Sequence, residues 1–286
     1  MQRVCPHAPG RRVRPVLPRN PIAGTPRFMS ESTPARPAAG QHGEQELPRI
    51  DVSERGAPRD GQPQVMDRRL FMQLLVWSSA AADPAAVAAQ IGAALQAKGV
   101  GAVVYEDVND PRGIGLLTWG EDPAVFVEAV RPALQRIEPA ALTLRPELTM
   151  LGRTYSTGYE QDLEHWLIRR PAETALNPEW PWAVWYPLRR SGAFSRLEGR
   201  EQGGILREHA TIGRAYGGQN LAHDIRLACH GLDARDNEFV IGLVGHDLHP
   251  LSHIVQSMRK TRQTSEFISQ MGPFFVGRVA HRSPGR

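Results

Sequence analysis

The stretch RRLFMQLLVW, residues 68–77, is where the sequence changes character and the folded part of the chain begins. Residues 1–67, which precede it, are rich in Pro, Arg, Gly, Gln and Ser and almost free of aromatic side chains. Such a composition buries too little apolar surface to offset chain entropy, so we predict that residues 1–67 form a disordered tail. The strongly apolar run at 68–77 predicts the first strand of the fold.

From this strand onward, the first half of the folded part, residues 68–171, has the predicted order βαββαβ. Asp83 and Pro84 open its first helix as N-cap and first-turn residue, and Gly99 follows the end of that helix. The turn-forming segment NDPRG separates the second and third strands. The predicted elements are a strand at 68–77, a helix at 83–99, strands at 100–108 and 114–120, a helix at 122–137 and a strand at 148–158.

The second half, residues 172–286, repeats the same order. Its predicted elements are a strand at 182–190, a helix at 198–216, strands at 222–231 and 237–245, a helix at 249–267 and a strand at 272–279. The βαββαβ order is that of the ferredoxin-like unit. Two such units predict an α+β fold with two antiparallel sheets packed together and helices outside.

Composition excludes several classes of function. Residues 1–28 hold six arginines and no acidic residue, so the rest of the chain has a net charge of −2 although the whole chain has +4. A basic face for nucleic acid is therefore not expected, and no apolar run approaches the roughly 20 residues of a membrane span. Cys5 and Cys229 show no metal-type spacing, and no secretory signal is evident, so we expect a cytoplasmic protein. The Arg-rich start would also suit an organellar transit peptide or a chain that begins at Met29.

The helix predicted at 198–216 carries a histidine on the face that should be apolar. Three other residues recur with His209 at helical spacing: Ile205, Ile212 and Tyr216. This stripe predicts that His209 points toward the core. A structural histidine bonded to a carbonyl would explain it, and so would haem, which needs one proximal histidine in apolar surroundings.

Two predicted strands line up polar side chains on one face. In WYPLRR, alternation places Tyr186, Leu188 and Arg190 together, either as an aromatic core strand that ends in solvated arginines or as a redox-active phenol beside an anion-binding cation. In AHDIRLACHG, Asp224 and Arg226 share a face. Arg226 is then either an edge residue or a cation placed in a pocket.

Taken together, five blocks of the second half resemble, in order, the chlorite dismutase superfamily, which includes the peroxide-dependent coproheme decarboxylases. The blocks are NPEWPWAVWYPLRR, REHATIGRAY, GLDARDNEFVIGL, MRKTRQTSEF and GPFFVG, and the likeness covers about residues 68–280. The resemblance implies two ferredoxin-like βαββαβ repeats packed as a dimeric α+β barrel within one chain. It also implies a haem in the C-terminal half, residues 172–286, and a homo-oligomer, often a pentamer.

The resemblance assigns site residues by position. His209 falls at the proximal iron ligand, which makes it the implied metal-binding residue. Tyr186 falls where decarboxylases keep the tyrosine that becomes a radical and attacks a propionate, and Arg190 falls where they usually keep a lysine. Other residues that the resemblance places at the porphyrin are Leu188, Phe194, Arg214 and Thr264.

Besides Arg190 in place of the usual lysine, the sequence departs from the family pattern at three further places. The distal residue is either Asp224 or Arg226. The arginine that decarboxylases often carry before the P-E-x-P stretch is replaced by Ala175. The position of the carboxylate that partners the imidazole in chlorite dismutases holds Arg262 or Gln263, and an imidazole without that partner is a weaker donor to iron.

The function that the resemblance implies is that of a haem-dependent oxidoreductase. Its substrates would be an iron porphyrin and hydrogen peroxide, and coproheme would be decarboxylated to haem b with Tyr186, Arg190 and Arg226 as catalytic residues. One alternative is a chlorite dismutase that converts chlorite to chloride and dioxygen. Others are a non-catalytic haem-binding or haem-sensing protein, and a domain without cofactor in which His209 is structural.

Overall fold

The computed structural model describes residues 47–81, 83–137 and 142–285, and Ile50–Arg286 form one compact unit. The strands are β1 (Glu54–Arg59), β2 (Gln62–Met66), β3 (Phe71–Ser79), β4 (Gly101–Asp107), β5 (Gly113–Gly120), β6 (Leu142–Leu144), β7 (Met150–Arg153), β8 (Trp182–Arg190), β9 (His223–Ala228), β10 (Phe239–Gly245), β11 (Ile268–Met271) and β12 (Phe275–Pro284). The helices are α1 (Pro84–Lys98), α2 (Arg131–Leu134), α3 (Arg170–Leu176), α4 (Gly192–Ser195), α5 (Gly199–Gly218), α6 (Leu248–Met258) and α7 (Arg262–Phe267). π-Helical turns at Phe126–Val130 and His165–Arg169 lead into α2 and α3.

Within the described residues, eight strands close into an antiparallel barrel. Their order around the barrel is β3, β5, β4, β12, β8, β10, β9 and β7, and β7 returns to β3. The first half contributes β7-β3-β5-β4 and the second half contributes β12-β8-β10-β9, which are two copies of one ferredoxin-like strand order. The predicted α+β fold, two ferredoxin-like repeats packed as a dimeric α+β barrel within one chain, is confirmed.

Local sequence signals explain where α1 begins and ends. The carboxylate of Asp83 accepts a hydrogen bond from the amide of Ala86 at 3.1 Å, and Pro84 occupies the first turn. Gly99 ends the helix at a φ of 67°, where a residue with a Cβ atom is disfavoured. These are the caps that the sequence predicted.

Part of the predicted tail is folded. We predicted disorder over residues 1–67, of which residues 1–46 lie outside the described part of the chain. Strands β1 and β2 form an antiparallel hairpin that turns at Asp60, so the prediction is wrong for this segment. The side-chain amide of Gln64 donates to the carbonyl of Glu160 at 3.1 Å. Hydrogen bonds hold this polar hairpin, which is why an argument from apolar content missed it.

Two helices also differ from the prediction. The helix predicted at 249–267 is split into α6 and α7, because Thr261 caps α7 by accepting from the amide of Thr264 at 3.4 Å. Helix α3, which connects the two halves, was not predicted. The boundary that we placed at 171/172 lies inside α3, so the division of the chain into two domains stays a prediction.

The apolar core has an inner and an outer part. Side chains of alternating strand positions fill the barrel interior, among them Met72, Leu74, Tyr105, Trp185, Ile225 and Phe275. Outside the barrel, one cluster lies between α1 and the first half's strands, and another lies between α6 and the second half's strands. None of the helices in the described residues is long and apolar enough to cross a membrane.

Candidate functional site

On the outer face of the second half's sheet, beside α5, lie four of the predicted site residues: Tyr186, His209, Asp224 and Arg226. Tyr186 of β8 packs in the same apolar cluster as Tyr216 of α5. The charges of Arg226 and Asp224 on β9 act on the imidazole of His209, and Asp224 also acts on the phenol of Tyr186. The structure thus brings the helix histidine, the strand tyrosine and the two charged residues of β9 into one region.

His209 is half-buried and neutral. Burial and the positive charge of Arg226 lower its pKa below the ordinary 6.5, while Asp224 acts in the opposite direction. Its Nδ1 lies 3.4 Å from Oγ1 of Thr261, whose hydroxyl donates to the carbonyl of Met258 at 2.7 Å. Because that hydroxyl proton is committed, we assign the imidazole proton to Nδ1. Nε2 then carries the lone pair that a metal ion would need.

The partner of the imidazole differs from the two residues that we aligned with it. Thr261 holds that position, whereas Arg262 pairs with Glu201 and Glu266 at 2.9 Å each on the surface. The side-chain oxygen of Gln263 is buried and has no hydrogen-bond partner among the described residues. The break between α6 and α7 turns Thr261 inward, and the sequence pattern, interpreted as one continuous helix, could not show this.

Tyr186 is a buried phenol. Its side chain is 6% exposed and stacks on Phe274 with ring centroids 4.7 Å apart. Burial, reinforced by the negative charge of Asp224, raises the pKa of Tyr186. The phenol is therefore protonated at neutral pH.

Arg190 is held between two aromatic rings. Its guanidinium lies 4.3 Å from the ring centroid of Phe194 and 4.9 Å from that of Phe239, and Nε is 3.7 Å from a carboxylate oxygen of Glu238. Phe194 is itself buried and meets Phe267 edge-on at 5.5 Å. Stacking and ion pairing fix the orientation of this arginine.

Asp224 and Arg226, which the sequence left as alternatives for the distal position, form an ion pair. Nε of Arg226 lies 2.9 Å from a carboxylate oxygen of Asp224, and Arg170 of α3 donates to the other oxygen at 2.7 Å and to the backbone carbonyl of Asp224 at 3.0 Å. The ring of Trp166 lies under both guanidinium groups, 4.5 Å from Arg170 and 5.0 Å from Arg226. We call Arg170, Asp224, Arg226 and Trp166 the carboxylate clamp.

The first half also contributes residues that the sequence did not single out. Trp166 lies in the π-helical turn that leads into α3, and Arg170 is the first residue of α3. Their i, i+4 spacing is a helical signal that could have been used. Tyr155 follows β7, and its ring lies 5.6 Å from that of Phe239. Burial raises the pKa of Tyr155, while Arg226 acts to lower it.

The remaining predicted porphyrin contacts occupy different surroundings. Leu188 is half-buried in the apolar cluster around Tyr186. Oγ1 of Thr264 lies 3.3 Å from Oγ1 of Thr261, which places Thr264 next to the imidazole partner. Arg214 is exposed on α5 and donates to Thr211 at 3.1 Å.

This donor set suits one kind of metal centre. Within the described part of the chain, no group of three or more His, Cys, Asp or Glu residues could hold a metal ion. A single neutral imidazole near apolar side chains fits haem iron, whose other nitrogen ligands come from the porphyrin. The helix that carries His209 buries only Ile205 along its fully described length. Fold and site together give a paired ferredoxin-like barrel with one half-buried histidine on the helix beside the second half's sheet.

A comparison with known proteins identifies the family. The sequence profile described as chlorite dismutase matches residues 116–280, which is more than half of the chain. The chain therefore belongs to the chlorite dismutase family. No curated protein sequence matches it.

Solved structures share the fold at low sequence identity. A haem-binding protein from Thermus thermophilus has a TM-score of 0.59 at 18% identity, over 74% of this chain and 91% of that chain. A mutant chlorite dismutase from Candidatus Nitrospira defluvii in complex with cyanide has a TM-score of 0.58 at 12% identity, over 75% of this chain and 92% of that chain. At these identities the likeness shows the fold alone.

Proposed function

We propose that the chain binds an iron porphyrin through His209 and acts as a haem-dependent oxidoreductase. The observation that carries the proposal is the state of this histidine. Its imidazole is neutral, its Nδ1 contacts Thr261, and Nε2 keeps a lone pair that can bind a metal ion. Family membership supports it, as do structural neighbours described as a haem-binding protein and a chlorite dismutase.

When bound, the iron would supply the activation of hydrogen peroxide, which is the source of the oxidising equivalents. The roles of the chain's own residues follow from their surroundings. Leu188 and Phe194 would contact the porphyrin as apolar groups, and Arg214 and Thr264 would hold its carboxylates. Arg190, fixed by its stacking, would orient a propionate by charge.

The reaction that we propose is the peroxide-dependent decarboxylation of coproheme to haem b. Each reacting propionate loses carbon dioxide, a proton and two electrons as it becomes a vinyl group, and one peroxide accepts two electrons. Tyr186 is the residue assigned to this oxidation. Because burial keeps its phenol protonated, Tyr186 can give up an electron only together with its proton.

Chlorite decomposition is the second candidate, and Arg226 is the observation that favours it. The positive charge of Arg226 acts at His209, where it would attract an anion. This candidate predicts oxygen release when chlorite is added to the haem-loaded protein, and loss of that release in Arg226→Ala. Homopentameric assembly and a cytoplasmic location are further proposals that rest on the resemblance.

A titration tests the proposed function. Purified wild type, His209→Ala and the control His246→Ala would be titrated with ferric coproheme and haem b while the Soret band is followed. His246 is an exposed histidine and a matched control, since its side chain is 71% exposed. Hydrogen peroxide would then be added stepwise, with mass detection of the porphyrin in wild type and Tyr186→Phe.

Each result separates the candidates. Porphyrin binding that is lost in His209→Ala alone, with two carboxyl groups lost on peroxide addition in wild type and not in Tyr186→Phe, is the expected outcome. Binding without decarboxylation would reject the decarboxylase and leave chlorite chemistry or a non-catalytic haem protein. Equal binding in all three proteins would remove His209 from the site.

A further inference from the structure

The carboxylate clamp places a negative charge directly beside Arg226, on the strand β9 against which α5 packs. Asp224 is engaged on both carboxylate oxygens, by Arg170 at 2.7 Å and by Arg226 at 2.9 Å. Although burial opposes ionisation, the positive charges of Arg226 and Arg170 hold the pKa of Asp224 below its ordinary value. The aspartate is therefore ionised at neutral pH.

Arg226 is held rather than free to swing. Its Nε lies 2.9 Å from a carboxylate oxygen of Asp224 in an ion pair without hydrogen-bond geometry, and its guanidinium carbon lies 5.0 Å from the ring centroid of Trp166. Among the described residues, Asp224 is the acidic side chain that pairs with it. The orientation of Arg226 therefore depends on groups from β9 and from the segment that connects the two halves.

The charges of the pair oppose each other at the imidazole. Helix α5, which carries His209, packs on β9, which carries both charged residues, so Asp224 and Arg226 act on the same region. A free guanidinium would attract small anions to this place, whereas an adjacent carboxylate cancels much of that attraction. Arg170, at the start of α3, donates to the carboxylate oxygen of Asp224 that Arg226 does not contact, and also to the backbone carbonyl of Asp224.

We propose that Asp224 determines which ligands the centre accepts: by offsetting the charge of Arg226, it makes the site favour a neutral oxidant such as hydrogen peroxide over small anions. This inference rests on the proposed function, because the ligands concerned are those of an iron held by His209. It gives Asp224 a specificity role beside Arg226 in place of the two alternatives that the sequence left open.

The test measures anion affinity in the haem-loaded protein. Azide, at a mildly alkaline pH where it is fully anionic, and neutral imidazole would be titrated into wild type, Asp224→Asn, Arg226→Gln and the double variant. Removing one charge near the centre changes anion affinity on the order of tenfold. Azide should bind about tenfold more tightly to Asp224→Asn and several-fold more weakly to Arg226→Gln. The double variant should return close to wild type, and imidazole affinity should change less than about twofold.

A matched control and a second readout separate this role from a structural one. Asp247→Asn removes an acid whose side chain is 71% exposed and should leave azide affinity unchanged. In the protein without haem, a double-mutant cycle of Arg170→Gln and Asp224→Asn in urea unfolding should give a non-zero coupling. That cycle tests the clamp without any bound ligand.

The outcomes distinguish the inference from the proposed function. Absence of a Soret shift in wild type would overturn both. A Soret shift with equal azide affinity in wild type, Asp224→Asn and Arg226→Gln would overturn this inference alone. If Asp224→Asn fails to fold, Arg226→Gln still decides, since unchanged azide affinity in that variant contradicts an acting charge pair.

Discussion

The two halves of the molecule share one topology but use the face beneath their first helix differently. Helix α1 is 15 residues long and seals its face with Val87, Ala88, Ile91, Gly92 and Leu95. Helix α5 is longer, with 20 residues, yet over that fully described length it buries only Ile205. On the second strand of each half, the outward residues are Ala102 and Val104 in β4 but Asp224 and Arg226 in β9.

The repeated fold of the two halves and the site on the second half are separate properties of the sequence. The alternation of strands and helices fixes the barrel in both halves, because each half must bury an inner sheet face. The outer face is sealed by apolar packing in the first half. In the second half the corresponding face carries charge and an imidazole, and these groups are what a ligand could contact.

The largest expected effect contrasts one isoleucine in each helix. Ile91→Ala in α1 should lower the free energy of unfolding by about 2–5 kcal/mol, because its side chain is fully buried. Ile212→Ala in α5 should cost less than about 1 kcal/mol, because the side chain is half-buried. Urea unfolding of the protein without haem measures both. Equal losses would contradict the difference between the halves.

Glycines sharpen the same contrast with smaller effects. A Cβ atom on Gly92 would lie 2.3 Å from the ring of His281, so Gly92→Ala should destabilise by about 1–3 kcal/mol. A Cβ atom on Gly203 of α5 meets nothing within 4 Å, so Gly203→Ala should stabilise by up to about 1 kcal/mol. Thermal unfolding of the two variants gives the signs, and a destabilised Gly203→Ala would argue against an open α5 surface.

The pH dependence of stability reports the buried imidazole. The pKa of His209 is below 6.5 in the folded protein, so as the pH falls below 6.5 the unfolded chain takes up a proton that the folded chain resists. This residue therefore contributes a loss of stability as the pH falls through that range. Wild type should lose more stability there than His209→Gln, which has no such group. If the free energies of unfolding of wild type and His209→Gln, measured in urea, change equally with pH, the pKa of His209 is not lowered by burial.

The smallest expected effect concerns Thr261. Thr261→Val removes the hydroxyl that accepts the Nδ1 proton of His209, so the ferrous iron–histidine stretching band should shift to lower frequency and haem affinity should fall by about 0.5–1.5 kcal/mol. Thr261→Ser keeps the hydroxyl and should restore both. Because Thr261 also caps α7, stability alone would not be informative. A band that is the same in Val and Ser variants would refute the positioning role.

The sequence predicted the frame better than the details of the site. Hydrophobic period and Asp-Pro helix starts located α1, β8 and α5, because these signals are local. The inward placement of His209 followed from its stripe with Ile205. Strand alternation placed Asp224 and Arg226 on one face, where they form an ion pair. Arg170, which also binds Asp224, lies 54 residues away in sequence, so no local pattern could show that contact.

Two other features that the sequence did not predict also depend on contacts without a local sequence pattern. Thr261 reaches His209 only because the chain bends between α6 and α7, and helical period continues across that bend. The hairpin of β1 and β2 is held by polar contacts such as that of Gln64, which an estimate of apolar content does not register.

We propose that His209 on α5 is the iron ligand of this protein, and replacing the ligand with free imidazole decides whether it is. His209→Gly would be titrated with ferric haem in the absence and presence of added imidazole while the Soret band is followed. We predict that binding is lost in His209→Gly and returns when imidazole is supplied, because the free ring replaces the missing side chain. Binding equal to wild type without imidazole would contradict the claim.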